Sequence, residues 1–260
     1  MNALRVFRYG LLVGARDFLV FWTWKTWLGG WMLRILTSVL VWVLVGRLLN
    51  SPSTLNYLLI GNAATAGLGT WAVAAAAWDR YSGTYPLLVI APANLAWAIM
   101  GRMSIWMFGW IVSSLLTFAF LFAIFDLRPH WQAIAALPAM VALLSVSTFF
   151  FSAFLGSFAN LVPPLRNAIG WALVFGLMTL TGVTVPITFW STGVQVIASL
   201  LPVTHGLQAL RLIMSDGPSA QIWSAIGLEL LVATSWLILA VMSFNRFAER
   251  GRANGSIELV

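Results

Sequence analysis

An all-α integral membrane protein is the fold class this sequence predicts, and three observations predict it. Of its 260 residues 61% are hydrophobic and only 8% charged, against about 45–50% and about 25% in soluble domains. Several apolar runs reach the ~20 residues needed to cross a hydrocarbon core ~30 Å thick at a rise of ~1.5 Å per residue. These runs spread from end to end with no polar block large enough to make a soluble domain, so residues 1–260 read as a single membrane domain.

Residues 1–26 open the chain. On a helix Arg5, Arg8 and Arg16 fall on one side while Leu4, Phe7, Leu11, Phe18 and Trp22 gather on another, the pattern of an amphipathic helix lying in the membrane interface. The arginines interrupt the apolar core that a secretory signal needs, and no small-residue cleavage site follows, so the segment is expected to be retained. Anionic lipid is the favoured counter-charge for them. Trp22, Trp24, Trp27 and Trp31 suit an interfacial anchor.

Six spans are expected, at 28–48, 57–77, 103–125, 131–158, 169–185 and 223–244. The second is rich in Gly, Ala and Thr, which suits close helix packing in lipid. The fourth is long enough to tilt or to bend at Pro138, and the tail after 244 reads as polar and frayed. Residues 186–211 and those just after are too apolar for a solvated loop, yet Pro186, Gly193 and Pro202 break them too often to span. A re-entrant helical hairpin between the last two spans satisfies both facts, because backbone at membrane depth must be buried in protein or face water.

Basic residues set the orientation. With the amino terminus inside, Arg5, Arg8, Arg16, Lys25, Arg80, Arg102, Arg166, Arg246, Arg250 and Arg252 are cytoplasmic, against Arg47, Arg128 and Arg211 outside. Both termini are then cytoplasmic in a multi-pass protein of the cell membrane, and the hairpin is external. Arg34 falls inside the first span, where it either snorkels inward or counters Glu229 from the other leaflet.

The chemistry of the chain is mostly a set of exclusions. There is no cysteine, hence no disulfide or thiolate site. The only lysine is Lys25, in TWKTW, so the glycine-lysine phosphate loop of a P-loop ATPase is missing. No HExxH, GxSxG, paired carboxylates or Ser/His/Asp set stands out, which argues against an enzyme. The +7 net charge is scattered at segment ends instead of forming a nucleic-acid patch.

Two motifs carry more. The segment DRYSGTYPLLVIAPANLAWAIMGRM, residues 79–103, has an acid-Arg pair (Asp79, Arg80), Gly83-Thr84, an apolar run with Leu87 and Leu88 closed by Pro92, and Gly101-Arg102 at the next span. It resembles the first cytoplasmic loop of the type-2 ABC transporter permeases. Pro86 departs from that pattern, standing where an acidic or polar residue is usual; proline is comfortable only in a helix's first turn, which limits how far the loop helix extends. At the other end, GVTVP followed by LPVTHGLQALR, residues 201–211, is similar to the external re-entrant segment of the same family, a turn and short helix carrying Pro202, Thr204, His205 and Arg211. With WTWKTWLGG at 22–30, the nearest likenesses are the daunorubicin-resistance and nodulation-factor exporters.

The resemblance implies a permease subunit that exports a hydrophobic or amphiphilic compound. It also implies a second permease subunit, identical or not, and two copies of a cytoplasmic ABC ATPase that bind ATP and Mg in place of this chain. In that family the loop between spans two and three carries a coupling helix that docks on the ATPase, placed here at Asp79, Arg80, Ser82, Gly83, Thr84, Leu87 and Leu88. Thr65, Thr70, Phe175 and Thr179 are candidate lining residues for the path. Glu229, the one acid well inside a span, reads either as a substrate contact or proton site or as a hydrogen-bonded packing residue. His205 reads as a turn or capping group, not a metal ligand, and His130 as a loop residue. Competing readings are export of a lipid-linked glycan, a lone proton-driven transporter, and a non-transporting membrane scaffold or immunity protein.

Overall fold

The computed structural model describes residues 2–68, 71–81, 83–91, 93–125, 129–215, 217 and 219–254. They form thirteen α-helices in the order α1 (Ala3–Phe21), α2 (Trp24–Thr26), α3 (Leu33–Leu48), α4 (Pro52–Ala64), α5 (Trp71–Ala76), α6 (Trp78–Tyr81), α7 (Tyr85–Ile90), α8 (Leu95–Ile124), α9 (Trp131–Leu161), α10 (Arg166–Leu180), α11 (Thr192–Leu200), α12 (Thr204–Met214) and α13 (Ser219–Asn254). No strand occurs among the described residues. Four helices are long and apolar enough to cross a membrane unaided: Trp24–Leu48, Leu95–Ile124, Trp131–Leu161 and Ser219–Ala253. The chain is an α-helical, membrane-embedded protein.

The boundaries depart from the six uniform spans expected, each for a local reason. The amphipathic helix stops at Phe21, five residues before the expected end, because Thr23 starts a new one: its hydroxyl accepts from the Thr26 N–H at 3.3 Å while its own N–H donates to the Thr26 hydroxyl at 3.0 Å. The first span then opens with a π-helical turn, Trp27–Met32, over the poor helix formers Gly29 and Gly30. Span three begins eight residues earlier than expected, at Leu95, since the Asn94 side chain accepts from the Trp97 N–H and caps it. Span four runs through Pro138 as one helix. The last helix continues to Asn254, where a polar, frayed tail was expected.

Two expected spans are not single long helices. The second, expected at 57–77, is interrupted after Ala64 and resumes at Trp71. A Cβ on Gly67 would lie 2.5 Å from the Trp110 Cα, so here the turn lies directly on the backbone of α8. The fifth, expected at 169–185, is the 15-residue α10, which ends at Leu180 in the turn carrying Gly182 at φ +84, a left-handed conformation that glycine adopts without steric penalty. The 186–211 segment becomes a 3-10 turn, Ile187–Phe189, then α11 and α12, whose axes turn by 90° between them.

The helix α1 packs on α8 with backbone touching backbone. A Cβ on Gly10 would meet the Ala98 carbonyl oxygen at 2.5 Å, one on Gly14 the Arg102 oxygen at 2.2 Å, and one on Gly101 the Phe7 oxygen at 2.3 Å. Phe7 on Trp97 and Phe18 on Trp106 extend this contact at either end, so the two helices run side by side in the same direction. Small residues spaced by four let helices approach this closely. At 30 residues α8 is about 45 Å long, longer than the ~30 Å hydrocarbon core, and α1 lies along its first turns.

Of the four tryptophans expected as an anchor, Trp24 is exposed while Trp31 is buried, its Nε1–H donating to the Ser113 hydroxyl at 3.1 Å. That bond ties the first span to α8.

Gly14→Leu is expected to push α1 off α8. It should lower stability by about 1–3 kcal/mol, the range for overpacking a tight contact, and expose the junction at residues 21–24 to protease. Thermal unfolding in detergent and limited proteolysis check it; an unchanged melting temperature and cleavage pattern contradict the contact.

Candidate functional site

At the end of the bundle that gathers most basic residues, the α6–α7 loop is fastened to the core by one guanidinium. Arg102, on α8, gives its Nε–H to Asp17 Oδ2 at 2.7 Å and a terminal nitrogen to the same oxygen at 2.6 Å; its other terminal nitrogen pairs with Asp79 Oδ1. Asp79 is 1% exposed. The Thr84 hydroxyl donates to Asp79 Oδ1 at 2.7 Å and its N–H to the Asp79 carbonyl at 2.9 Å, closing the turn between α6 and α7. Gly83 sits in that turn at φ +69 with open space around it, a conformation most residues adopt only under strain.

The rest of the loop divides between anchor and free face. Pro86 falls in the first turn of α7, the position where its missing N–H costs nothing. Tyr85 is buried, with the Arg80 guanidinium over its ring at 4.9 Å from the centroid. Burial pushes the Tyr85 phenol up, so the ring under Arg80 is neutral at physiological pH. Arg252, near the end of α13, donates from Nε to the Val89 carbonyl at 2.6 Å. Leu88 is half-buried against the neighbouring core, whereas Leu87 and Ile90 are 64% and 67% exposed. Ser82 and Pro92 lie outside the described residues.

Around the α11–α12 junction a second set of predicted residues meets. Glu229, on α13, is fully buried, and both its oxygens are engaged: Oε1 accepts from the Val203 N–H and Oε2 from the Gly206 N–H, each at 2.9 Å. The carboxylate thus caps the start of α12 from a different helix, where exposed amides and the helix dipole favour a negative charge. Val203 needs that support. It follows Pro202 at φ +80, outside the range comfortable for a β-branched residue, a strain of about 1–3 kcal/mol. The Thr204 hydroxyl donates to the Ala198 carbonyl at 2.6 Å, and His205 Nε2–H to the Ser199 carbonyl at 2.9 Å. His205 therefore caps the end of α11, as does Trp236, whose Nε1–H reaches the Leu200 carbonyl at 2.9 Å.

Arg211 performs the same service for α10. One terminal nitrogen donates to the carbonyls of Gly182 at 2.8 Å and Tyr57 at 3.2 Å, with Val183 at 3.5 Å, and the guanidinium stacks over the Tyr57 ring at 3.5 Å. The Tyr57 hydroxyl also donates to Gly182, at 2.6 Å. Pro186 stands at the entrance to the 3-10 turn, where its carbonyl accepts from the Phe189 N–H at 3.0 Å.

The candidate path residues do not converge. Thr65 is buried, donates to the Gly61 carbonyl at 2.9 Å, and borders a cavity of about 10 Å³ shared with Trp110, Ser114, Thr148 and Val203, room for a single water and not for a cargo. Phe175 and Thr179 lie on the exposed face of α10, the former stacked with Trp171 at 5.5 Å. Thr70 lies outside the described residues. Sequence reasoning passed over Asp17 and Tyr57; the one available signal was an acid alone within a basic helix, three residues after Gly14. Among the described residues no three His, Cys, Asp or Glu side chains stand together in a way that would hold a metal ion.

No family model matches the chain, and no curated protein or solved structure matches it.

Glu229→Leu is expected to destabilise strongly, since it leaves the Val203 and Gly206 amides buried without acceptors at about 1–3 kcal/mol each. Glu229→Gln retains one acceptor oxygen and should fall between it and the parent. Melting temperatures in detergent test the order; a Leu variant as stable as the parent removes the capping role.

Proposed function

We propose that this chain is the membrane-spanning permease subunit of an ATP-driven exporter for a hydrophobic or amphiphilic compound. In this reading it makes six crossings: the four long helices, the interrupted α4–α5 pair, and α10. The helices α11 and α12 form an external re-entrant hairpin, and both termini are cytoplasmic. It works with two copies of a separate ATPase, which bind ATP and Mg, and with a second permease subunit.

The observation that carries this reading is the construction of the α6–α7 loop. Its acidic head, Asp79, is held on α8 by Arg102, while Leu87 and Ile90 point away from the bundle. A loop pinned at one side and apolar at the other suits docking to a soluble partner, and its anchoring suits passing a rigid-body push into α8. The motif likeness at residues 79–103 and 201–211 points the same way. Glu229, with both oxygens engaged by amides, supports a structural role better than the proton-carrying role that a lone secondary transporter would require.

Since the chain has no cysteine, topology is directly testable. A single Leu87→Cys is expected to react with a membrane-impermeant maleimide only from the cytoplasmic side, and Phe189→Cys only from outside. Labelling of residue 87 from the outer medium sinks the coupling role. Leu87→Asp should cut ATPase co-purification and stimulated ATP turnover by about tenfold, the loss of ~1.4 kcal/mol of docking energy, with the melting temperature unchanged. Transport by the purified chain alone would contradict the subunit reading.

A further inference from the structure

A cavity of about 10 Å³ lies where the second span is interrupted. Thr65 and Leu68 line it at the end of α4, Ser114 on α8, Ser145 and Thr148 on α9, and Val203 at the start of α12. A buried water needs about 10–15 Å³ of such space and two to four polar partners, whereas a cavity with apolar walls alone stays dry. Four of these six residues carry hydroxyls, so the hydroxyls decide what the cavity holds.

Three of the four have committed their hydrogens. Thr65 donates to the Gly61 carbonyl at 2.9 Å, Ser114 to the Ala64 carbonyl at 3.2 Å, and Thr148 to the Leu144 carbonyl at 2.8 Å. A hydroxyl has one hydrogen and two lone pairs, so any bond these three make to an occupant is one they accept. Ser145 differs. It is 6% exposed, and its hydroxyl makes no hydrogen bond to the described residues. Its hydrogen is therefore available to the cavity, and burying a hydroxyl with no partner at all is unfavourable.

The occupant that fits accepts from Ser145 and donates to the other hydroxyls within the volume of a single small molecule. Water does both. Sodium and potassium ions are the competing occupants of a hydroxyl-lined space, but among the described residues no acid lines this one, and a cation buried without a counter-charge is costly. Glu229, which holds the neighbouring Val203 amide, has both oxygens engaged by backbone N–H groups. We infer that one ordered water is bound here, accepting from Ser145 and donating to two of Thr65, Ser114 and Thr148. Its place gives it a role. A break in a spanning helix is tolerated where hydroxyls and ordered waters satisfy the polar groups around it, and this water fastens the broken second span to the continuous helix α9. The inference rests on this cavity and is independent of the permease reading.

A crystal structure of the full-length chain grown from lipid, at a resolution that shows ordered water, tests it directly. A peak should stand within about 3 Å of Ser145 Oγ and of at least one of the other three hydroxyls, and it should vanish in Ser145→Ala. A map that shows other buried waters but none here overturns the proposal. Hydrogen exchange of the intact chain in nanodiscs gives a second readout that discriminates by sign. The Thr65, Ala66 and Leu68 N–H groups close the turn at the break, and Ser145→Ala should speed their exchange about fivefold, the equivalent of one net hydrogen bond. Without a bound water the same change removes a hydroxyl that nothing satisfies, so unchanged or slower exchange counts against the site. Melting temperatures in sodium, potassium and N-methylglucamine chloride of equal ionic strength should agree. A rise of several degrees with either metal ion assigns the cavity to that cation and sinks the water.

Discussion

In hydrocarbon there is no water to take up a free amide or carbonyl, so every place where a helix stops inside the bundle must be finished by another part of the protein. This constraint organises the whole molecule. The end of α4 is met by the Ser114 hydroxyl, which donates to the Ala64 carbonyl at 3.2 Å, and the end of α5 by the Asn160 amide on the Ala76 carbonyl at 2.8 Å. The end of α10 has Arg211, Tyr57 and Trp190, the end of α11 has Trp236, Thr204 and His205, and the start of α12 has Glu229. Four of these nine groups come from the long uninterrupted helices α8, α9 and α13, and three more from α12. Long helices and short ones thus complete one another's ends.

The same division separates two kinds of charge. Glu229 and Arg211 are buried or half-buried among backbone groups and act on peptide dipoles, so their work is architectural. Asp17, Asp79 and Arg102 act on one another, at the end of the bundle where α1, the α6–α7 loop and α8 come together. A single guanidinium joins an amino-terminal helix to a loop 62 residues further along the chain (79 − 17 = 62). Displacing either partner changes the balance at the other, so the amino-terminal helix and the loop are coupled through α8.

Much of the outline was legible in the sequence because length and apolarity alone define a crossing: the runs at 28–48, 131–158 and 223–244 lie within long helices, and the run at 103–125 does so up to Ile124. The interruption of the second span was not, since it is placed by contact between Gly67 and the backbone of α8, a fact of tertiary packing. The early start of α8 depended on Asn94 as a cap, a local signal outweighed by the search for apolar length. For Glu229 the residue type narrowed the choice to a handful of roles, but its partners come from a junction 23 to 26 residues earlier whose geometry no periodicity reveals. Asp17 went unnoticed because a single acid on a basic helix looks like ordinary surface, and only the approach of α1 to α8 brings it to Arg102.

The Glu229 cap also fixes an order of events during biogenesis. The carboxylate belongs to α13, whereas the amides it satisfies belong to the segment synthesised before it. While α13 is still within the ribosome and the insertion machinery, the first turn of α12 has no acceptor and Val203 nothing to hold its left-handed backbone. Insertion of α13, itself burdened by a carboxylate costing about 2.5–3.5 kcal/mol on insertion scales, is what allows the preceding segment to settle. A nascent chain arrested short of residue 229 carries all the residues of α11 and α12 but not the means to lock them in place.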